Sequence, residues 1–148
     1  MDYTTTRSSR VRATASQAIL KGLGEDGGLY LPLAIPRLQG KELEALAVAS
    51  YQEVARKVLG LFLTDFTPEE IAYAVDQAYN PKTFQAPEVT PVSLLGDGTG
   101  ILELYHGPTA AFKDVALQIL PHLLTISARK NGDQRTYVIL VATSGDTG

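Results

Sequence analysis

The sequence predicts an α/β protein in which a mainly helical first part precedes the beginning of a sheet-containing domain. Apolar residues recur at spacings of three and four through residues 41–63, which is typical of an amphipathic helix. The run TYVILVATS, residues 136–144, is continuously apolar and β-rich, as in a strand buried on both faces of a sheet. We therefore expect a mainly helical segment over residues 1–90 and an incomplete α/β domain over residues 91–148.

Three helices are predicted in the first segment. A short helix is expected over Ser16–Leu23, with Ser16 as its cap. The strongest helical pattern runs as one element over Lys41–Leu63. The sequence TPEE, Thr67–Glu70, is a capping box, so a further helix is expected from there to about Tyr79.

The second segment is predicted to contain a hairpin and then a strand, helix and strand. VSLL and ILELY flank GDGTG, residues 96–100, which predicts a β-hairpin turn. A helical pattern covers Phe112–Arg129. A kink or break is expected at Pro121, because proline lacks the N–H of a helix and clashes with the preceding turn.

Composition excludes several classes of function. The 148 residues carry a net charge of −3 without a basic stripe, which argues against nucleic-acid binding. There is no cysteine, so disulfides, thiolate catalysis and cysteine-ligated zinc are absent. His106 and His122 have no carboxylate at a metal-ligand spacing, so no metal is expected. With no apolar stretch of membrane-spanning length and no apolar signal core at the start, we expect a cytoplasmic protein.

The stretch GLGEDG, residues 22–27, matches the G-x-G-x-x-G pattern of dinucleotide sites. Such a site needs a strand before the glycines and a helix after them. Here a helix is expected before them and the short extended stretch LYLP after them. We therefore interpret GLGEDG as the end of a helix followed by a turn.

The stretch TSGDTG, residues 143–148, follows the predicted buried strand, where open α/β sheets place ligand loops. Its small residues allow close approach of a ligand, and Ser144 and Thr147 add hydroxyl donors. If a helix follows, its N-terminus would favour an anion such as a carboxylate. An ordinary strand-to-helix loop capped by Asp146 explains the stretch equally well. Because a buried strand that leads into such a turn normally continues, we expect the chain to be a fragment.

The stretch HGPTAAFKD, residues 106–114, also has the pattern of a turn leading into a helix, with Thr109 as a possible cap. Lys113 is placed near the first helical turn, beside Phe112. Desolvation and the positive end of a helix both favour a neutral amine, which can form a Schiff base with an aldehyde. The alternative is a solvated lysine paired with Asp114, and this stretch alone favours that alternative.

Taken together, the stretches HGPTAAFKD and TSGDTG favour a shared functional site over two unrelated loops. They follow consecutive predicted strands joined by one helix, which is the usual link between parallel strands. The ends of such strands face the same crevice. A nucleophilic lysine and an anion-binding Ser/Thr/Gly loop could therefore meet there.

Four motifs resemble the threonine synthase family of fold type II pyridoxal-phosphate enzymes. YTTTR, residues 3–7, is similar to the family's Y-x-S-T-R start, and LKGLGEDGGLYLP, residues 20–32, to its G-L-A-x-D-G-G-L-Y-x-P stretch. ELYHGPTAAFKDVALQ, residues 103–118, resembles its E-L-F-H-G-P-T-x-A-F-K-D block, and ATSGDTG, residues 142–148, matches its substrate-loop motif. The matches follow the whole chain in register. The resemblance thus implies the start of the αβα sandwich of fold type II, preceded by a helical part and truncated.

The resemblance also implies the chemistry. Lys113 would carry pyridoxal 5′-phosphate in a Schiff base and, once released, move protons at the α and β carbons of the substrate. The implied reaction converts O-phospho-L-homoserine and water to L-threonine and phosphate, in threonine biosynthesis. Phe112 and Asp146 are expected beside the cofactor. The residues expected to hold the substrate carboxylate, or to lie beside the cofactor ring, are Thr143, Ser144, Asp146 and Thr147.

Two alternatives remain open. A related phospho-lyase would eliminate phosphate and release 2-oxobutyrate, and no residue of the chain separates the two outcomes. A non-catalytic interaction module would be expected to lose the lysine or the Ser/Gly loop, and both are present. The expected partner is a small-molecule substrate, without nucleic acid or membrane, in a monomer or homodimer. The chain alone is expected to be inactive, since the resemblance places the loop for the cofactor's phosphate far downstream.

Overall fold

A small antiparallel sheet at the start of the chain brings two of the sequence motifs side by side. The computed structural model describes residues 1–143 and 145. Strand β1 (Tyr3–Thr5) lies between β2 (Ser8–Ala13) and β3 (Tyr30–Pro32), and both neighbours are antiparallel to it. Thr5 is paired with Tyr30, so the stretch YTTTR is hydrogen-bonded to LYLP.

Helix α1 (Ala15–Lys21) follows β2 and begins one residue before its predicted start. The prediction that Ser16 caps it is wrong. Thr14 has the extended backbone of a cap, and its side chain accepts a hydrogen bond from Gln17 N in a full capping box. Ser16 is already inside the helix and buried, and its N–H donates to Asp65 Oδ2 at 3.2 Å.

The long helix predicted over Lys41–Leu63 is two helices, so that prediction is wrong. Helix α2 (Lys41–Leu46) ends before a short turn, and α3 (Tyr51–Phe62) begins after it. Ser50 is extended and caps α3, accepting from Glu53 N while Glu53 accepts from Ser50 N. This reciprocal pair satisfies N–H groups that a helix start leaves without partners, which favours a new start over continuation.

The remaining helices and the hairpin follow the prediction closely. Helix α4 (Pro68–Ala78) is capped by Thr67 in the expected capping box. Strands β4 (Val92–Leu94) and β5 (Gly100–Leu102) form the expected hairpin. The expected break near Pro121 is confirmed, because α5 (Asp114–Leu117) ends before it and α6 (Leu120–Lys130) carries Pro121 in its first turn.

The strand predicted over residues 136–144 is absent from the described part of the chain. No strand is present over residues 131–143, and Val138 and Leu140 are 78% and 91% exposed. β5 also ends at Leu102, so the expected strand, helix and strand unit does not form among the described residues. A strand of this type needs neighbouring strands to pair its N–H and C=O groups, and neither sheet of the described residues reaches it.

The hydrophobic core packs α1, α4 and α6 together. It takes side chains from both sides of residue 90: Ala15, Leu63, Phe66, Ile71, Ala74, Val75, Ala78, Tyr79, Phe84, Val89, Ile119, Leu123 and Ile126. The Tyr79 hydroxyl donates to the carbonyl oxygen of Val115 at 2.8 Å, and burial raises the pKa of Tyr79, which keeps this donor protonated. The division at residue 90 stays a prediction. No helix in the described part of the chain is both long and apolar enough to cross a membrane.

Candidate active site

Lys113 lies at the point where a turn becomes helix α5. It is the residue before the first helical one, with helical backbone angles of φ −64° and ψ −23°, and it is half-buried. Its Nζ lies 5.2 Å from the centroid of the Phe112 ring. A pocket of about 410 Å³ opens beside it, lined by Leu104, Phe112, Lys113, Val115, Ala116 and Leu117. Lys113 therefore lines an apolar pocket together with Phe112.

Asp114 is turned into the protein and is held by Thr109. It is 1% exposed. Its Oδ2 accepts from Thr109 N at 2.9 Å and its Oδ1 from Thr109 Oγ1 at 2.8 Å. The prediction that Thr109 caps the helix is therefore wrong: Lys113 occupies the cap position, and the Thr109 hydroxyl donates to a carboxylate five residues later.

The turn between His106 and Lys113 is unusually tight. A Cβ at Gly107 would lie 2.5 Å from both Cβ and Oδ2 of Asp114, so only glycine leaves room for this carboxylate. Ala110 has φ +57°, a left-handed backbone that residues with a side chain rarely adopt. Both residues lie within six positions of Lys113, and the left-handed backbone of Ala110 carries a strain that the surrounding structure must offset.

Glu103 and His106 form a hydrogen-bonded pair just before this turn. Glu103 Oε2 lies 2.6 Å from His106 Nε2, and Ser93 of β4 donates to the other carboxylate oxygen. Hydrogen bonds from Ser93 first, and then from His106, lower the pKa of the Glu103 carboxyl. Our sequence reasoning did not single out this pair, although the spacing of three in ELYH could have drawn attention to it. The pair ties the hairpin to the start of the Lys113 turn.

The stretches YTTTR and LKGLGEDGGLYLP are joined by hydrogen bonds at Asp26. Its Oδ2 accepts from Thr5 Oγ1 at 2.5 Å and its Oδ1 from Gly28 N at 2.9 Å, while Arg7 donates to its carbonyl oxygen at 3.2 Å. The hydrogen bond from Thr5, then that from Gly28, lowers the pKa of the Asp26 carboxyl. A Cβ at Gly24 would lie 2.6 Å from Thr5 Cγ2, so the glycines allow this contact.

The interpretation of GLGEDG as a helix end and turn is confirmed. Gly22 follows α1 with φ +70°, and its N–H donates to Ala18 O. The loop then returns to the sheet through a bridge between Leu23 and Leu29. Its glycines serve a turn and close packing against β1.

Most of the predicted substrate loop lies outside the described residues. Ser144, Asp146 and Thr147 belong to that part, so their predicted roles stay predictions. Thr143 is exposed, and its Oγ1 accepts from Gly145 N at 3.2 Å. The crevice expected to join this loop to Lys113 also stays a prediction. Within residues 1–143 and 145, no group of three or more His, Asp or Glu side chains could hold a metal ion.

Comparison with known proteins agrees with these motifs. Residues 2–79 match the family described as threonine synthase N terminus. The chain belongs to this family. Over its whole length it is 42% identical to the threonine synthase of Schizosaccharomyces pombe and 42% identical to that of Corynebacterium glutamicum. The resemblance found in the sequence is therefore confirmed.

Solved structures of threonine synthases share the fold. The crystal structure of a PLP-bound threonine synthase from Brucella melitensis matches 89% of this chain, with a TM-score of 0.82 and 38% identity. The predicted fold class, an α/β start of a fold type II enzyme, is therefore confirmed. The chain spans 28% of the Brucella protein, and 30% and 31% of the two sequence relatives.

Proposed function

We propose that this chain is the N-terminal part of a threonine synthase, which converts O-phospho-L-homoserine and water to L-threonine and phosphate with pyridoxal 5′-phosphate. One observation supports this most strongly. In a chain similar along its whole length to threonine synthases, Lys113 borders an apolar pocket at the start of a helix. A lysine at the edge of such a pocket can offer its amine to a carbonyl-containing cofactor.

The residues around Lys113 fit the cofactor. Phe112 and the aliphatic side chains of Leu104 and Leu117 line the pocket with apolar atoms, against which an aromatic ring can pack. Lys113 supplies the amine, and Asp146 is the proposed neighbour of the ring oxygen. The cofactor, when bound, supplies an electron sink for negative charge on the carbons of the substrate.

The side chains of this chain do the remaining work. The Lys113 amine takes and returns protons at the α and β carbons of the substrate. Thr143, Ser144 and Thr147 donate hydrogen bonds to its carboxylate, which holds the α carbon within reach of the amine. The proposal thus gives the lysine and the hydroxyl-rich loop separate roles: the lysine transfers protons, and the loop binds the substrate carboxylate.

A comparison of absorption spectra tests the proposal. The full-length enzyme is mixed with pyridoxal phosphate, as wild type, as Lys113→Ala and as Lys82→Ala, which removes an exposed lysine of the connector after α4. We expect a visible band in the wild type and in Lys82→Ala, and its loss in Lys113→Ala. Identical spectra from all three proteins would show that Lys113 is an ordinary surface lysine and would overturn the proposal.

Two further measurements separate the alternatives. Product analysis with O-phospho-L-homoserine should give L-threonine, whereas 2-oxobutyrate as the main product would indicate a phospho-lyase. The chain of 148 residues is expected to show no turnover by itself. Tight, saturable cofactor binding by this chain alone would contradict the expectation that the cofactor's phosphate is bound elsewhere.

A further inference from the structure

The turn that presents Lys113 is held from inside the protein by one buried carboxylate. Asp114 is 1% exposed, and a buried carboxylate is tolerated only when hydrogen bonds compensate its lost hydration. Both of its oxygens accept from one residue, Thr109, at 2.9 Å from the backbone N and 2.8 Å from Oγ1. Thr109 itself is exposed, so the carboxylate reaches outward to hold the surface turn.

The backbone on either side of Lys113 is therefore fixed. Toward the C-terminus, the Lys113 carbonyl accepts from Ala116 N at 3.0 Å and Leu117 N at 2.8 Å, which makes it part of α5. Toward the N-terminus, the link between Asp114 and Thr109 closes residues 109–114 into a ring. Lysine has a long side chain with many rotamers, so a fixed backbone is needed to keep its amine in one place.

We infer that Asp114 is a positioning residue for the reaction: its buried carboxylate holds Thr109 and thereby fixes the backbone from which the Lys113 amine reaches the substrate. The inference rests on the function proposed above. Asp114 touches neither substrate nor cofactor in this account and acts only through the turn. The space left at Gly107 and the left-handed Ala110 allow the turn to close around the carboxylate.

Thr109 offers a clean pair of variants, because it is exposed and its hydroxyl can be removed or retained. Thr109→Val has nearly the same shape but cannot donate to Asp114 Oδ1, whereas Thr109→Ser keeps the donor. Both variants leave the backbone N–H of residue 109 as a donor to Asp114 Oδ2. Thr109→Val exchanges the hydroxyl for a methyl group, and Thr109→Ser removes only the methyl group, so a loss seen in Thr109→Val and not in Thr109→Ser reports on the hydroxyl contact.

The experiment measures kcat, KM, the visible absorption band and the melting temperature of the full-length enzyme with pyridoxal phosphate. Because a small misplacement of a reacting group costs orders of magnitude in rate, we expect Thr109→Val to lower kcat by about tenfold or more. KM should change by less than about threefold, since substrate binding does not use this contact. Thr109→Ser should restore kcat to near the wild-type value.

Asp114→Ala provides the second test. It removes both acceptors that hold Thr109, so we expect a loss of kcat at least as large as in Thr109→Val. A wild-type kcat per folded enzyme in Thr109→Val, with or without a lower melting temperature, would show a purely structural role and overturn the inference. Loss of kcat in Thr109→Ser equal to that in Thr109→Val would also overturn it. A wild type without a Lys113-dependent band would instead refute the proposed function, so the two failures are distinguishable.

Discussion

Gly107 shows how a single missing side chain shapes the candidate site. The Asp114 side chain occupies the space where any other residue at position 107 would place its Cβ. Gly107 is itself buried, so a side chain added there could not move into solvent to avoid Asp114. Overpacking of this kind forces backbone or side-chain shifts, because protein interiors have few voids.

Gly107→Ala is therefore expected to lower the free energy of unfolding by about 1–3 kcal/mol, the usual cost of an inserted methyl group in a packed site. Urea-induced unfolding followed by circular dichroism measures this. Gly96→Ala is the matched control, because a Cβ at Gly96 in the hairpin turn meets no atom within 4 Å. Equal unfolding midpoints for the two variants would show that the site around Asp114 can relax at no cost.

At the scale of elements, Glu70 connects α4 with the end of α6. Its carboxylate accepts from Lys130 Nζ at 2.8 Å, Arg129 Nη2 at 3.0 Å and Thr67 N at 2.9 Å. Burial alone would raise the pKa of Glu70, but these hydrogen bonds outweigh it and the pKa is lowered. The Glu70 carboxylate thus completes the capping box of α4 and also forms ion pairs with the last turn of α6.

A lowered pKa in the folded state means that the ionised Glu70 stabilises the fold. This contribution is present above the ordinary glutamate pKa of 4.5 and is lost as the pH falls through the lowered value. We expect Glu70→Gln to lower the free energy of unfolding by about 1 kcal/mol at pH 7, as for a partly exposed ion pair, and by less at pH 3. Denaturant unfolding at both pH values measures it. Glu88→Gln, at an exposed carboxylate of the connector, is the control, and its free energy of unfolding at pH 7 should equal that of the wild type.

The capping boxes at Thr67 and Ser50 show how far the sequence could predict the elements. The box at Thr67 was recognised because it precedes a new apolar pattern. The box at Ser50 was missed, because the apolar spacing continues across it and hides the end of α2. The hydrogen bonds from Thr109 to the Asp114 carboxylate could not be predicted from the sequence either. They depend on the room at Gly107 and on a left-handed alanine, which no local propensity predicts.

At the scale of the whole molecule, the core joins the two predicted segments. Side chains of α6, namely Ile119 at its cap, Leu123 and Ile126, complete the core formed by residues before 90. By contrast, residues 137–141 leave five large apolar side chains exposed. The run 136–144 was predicted as a strand from its own residues, but a strand also needs neighbours, and these lie outside what local sequence determines.

Two truncations test the predicted boundary at residue 90. A chain that ends at residue 133 keeps the whole core and should unfold cooperatively, with a melting temperature close to that of the 148-residue chain. A chain that ends at residue 90 loses three buried side chains, each worth about 2–5 kcal/mol, which is comparable to the whole stability of a domain. We expect it to be unfolded by circular dichroism and differential scanning calorimetry. Cooperative unfolding of the 90-residue chain would show that the first segment is an independent domain.

The position of the core along the chain also bears on the order of events during synthesis. Every residue of the core lies between positions 15 and 126. A ribosome adds about 5–20 residues per second, and domains generally fold as units in the order in which they emerge. The core could therefore close while the polypeptide is still being made. The Lys113 turn would then be set while the residues that follow the core are still being added.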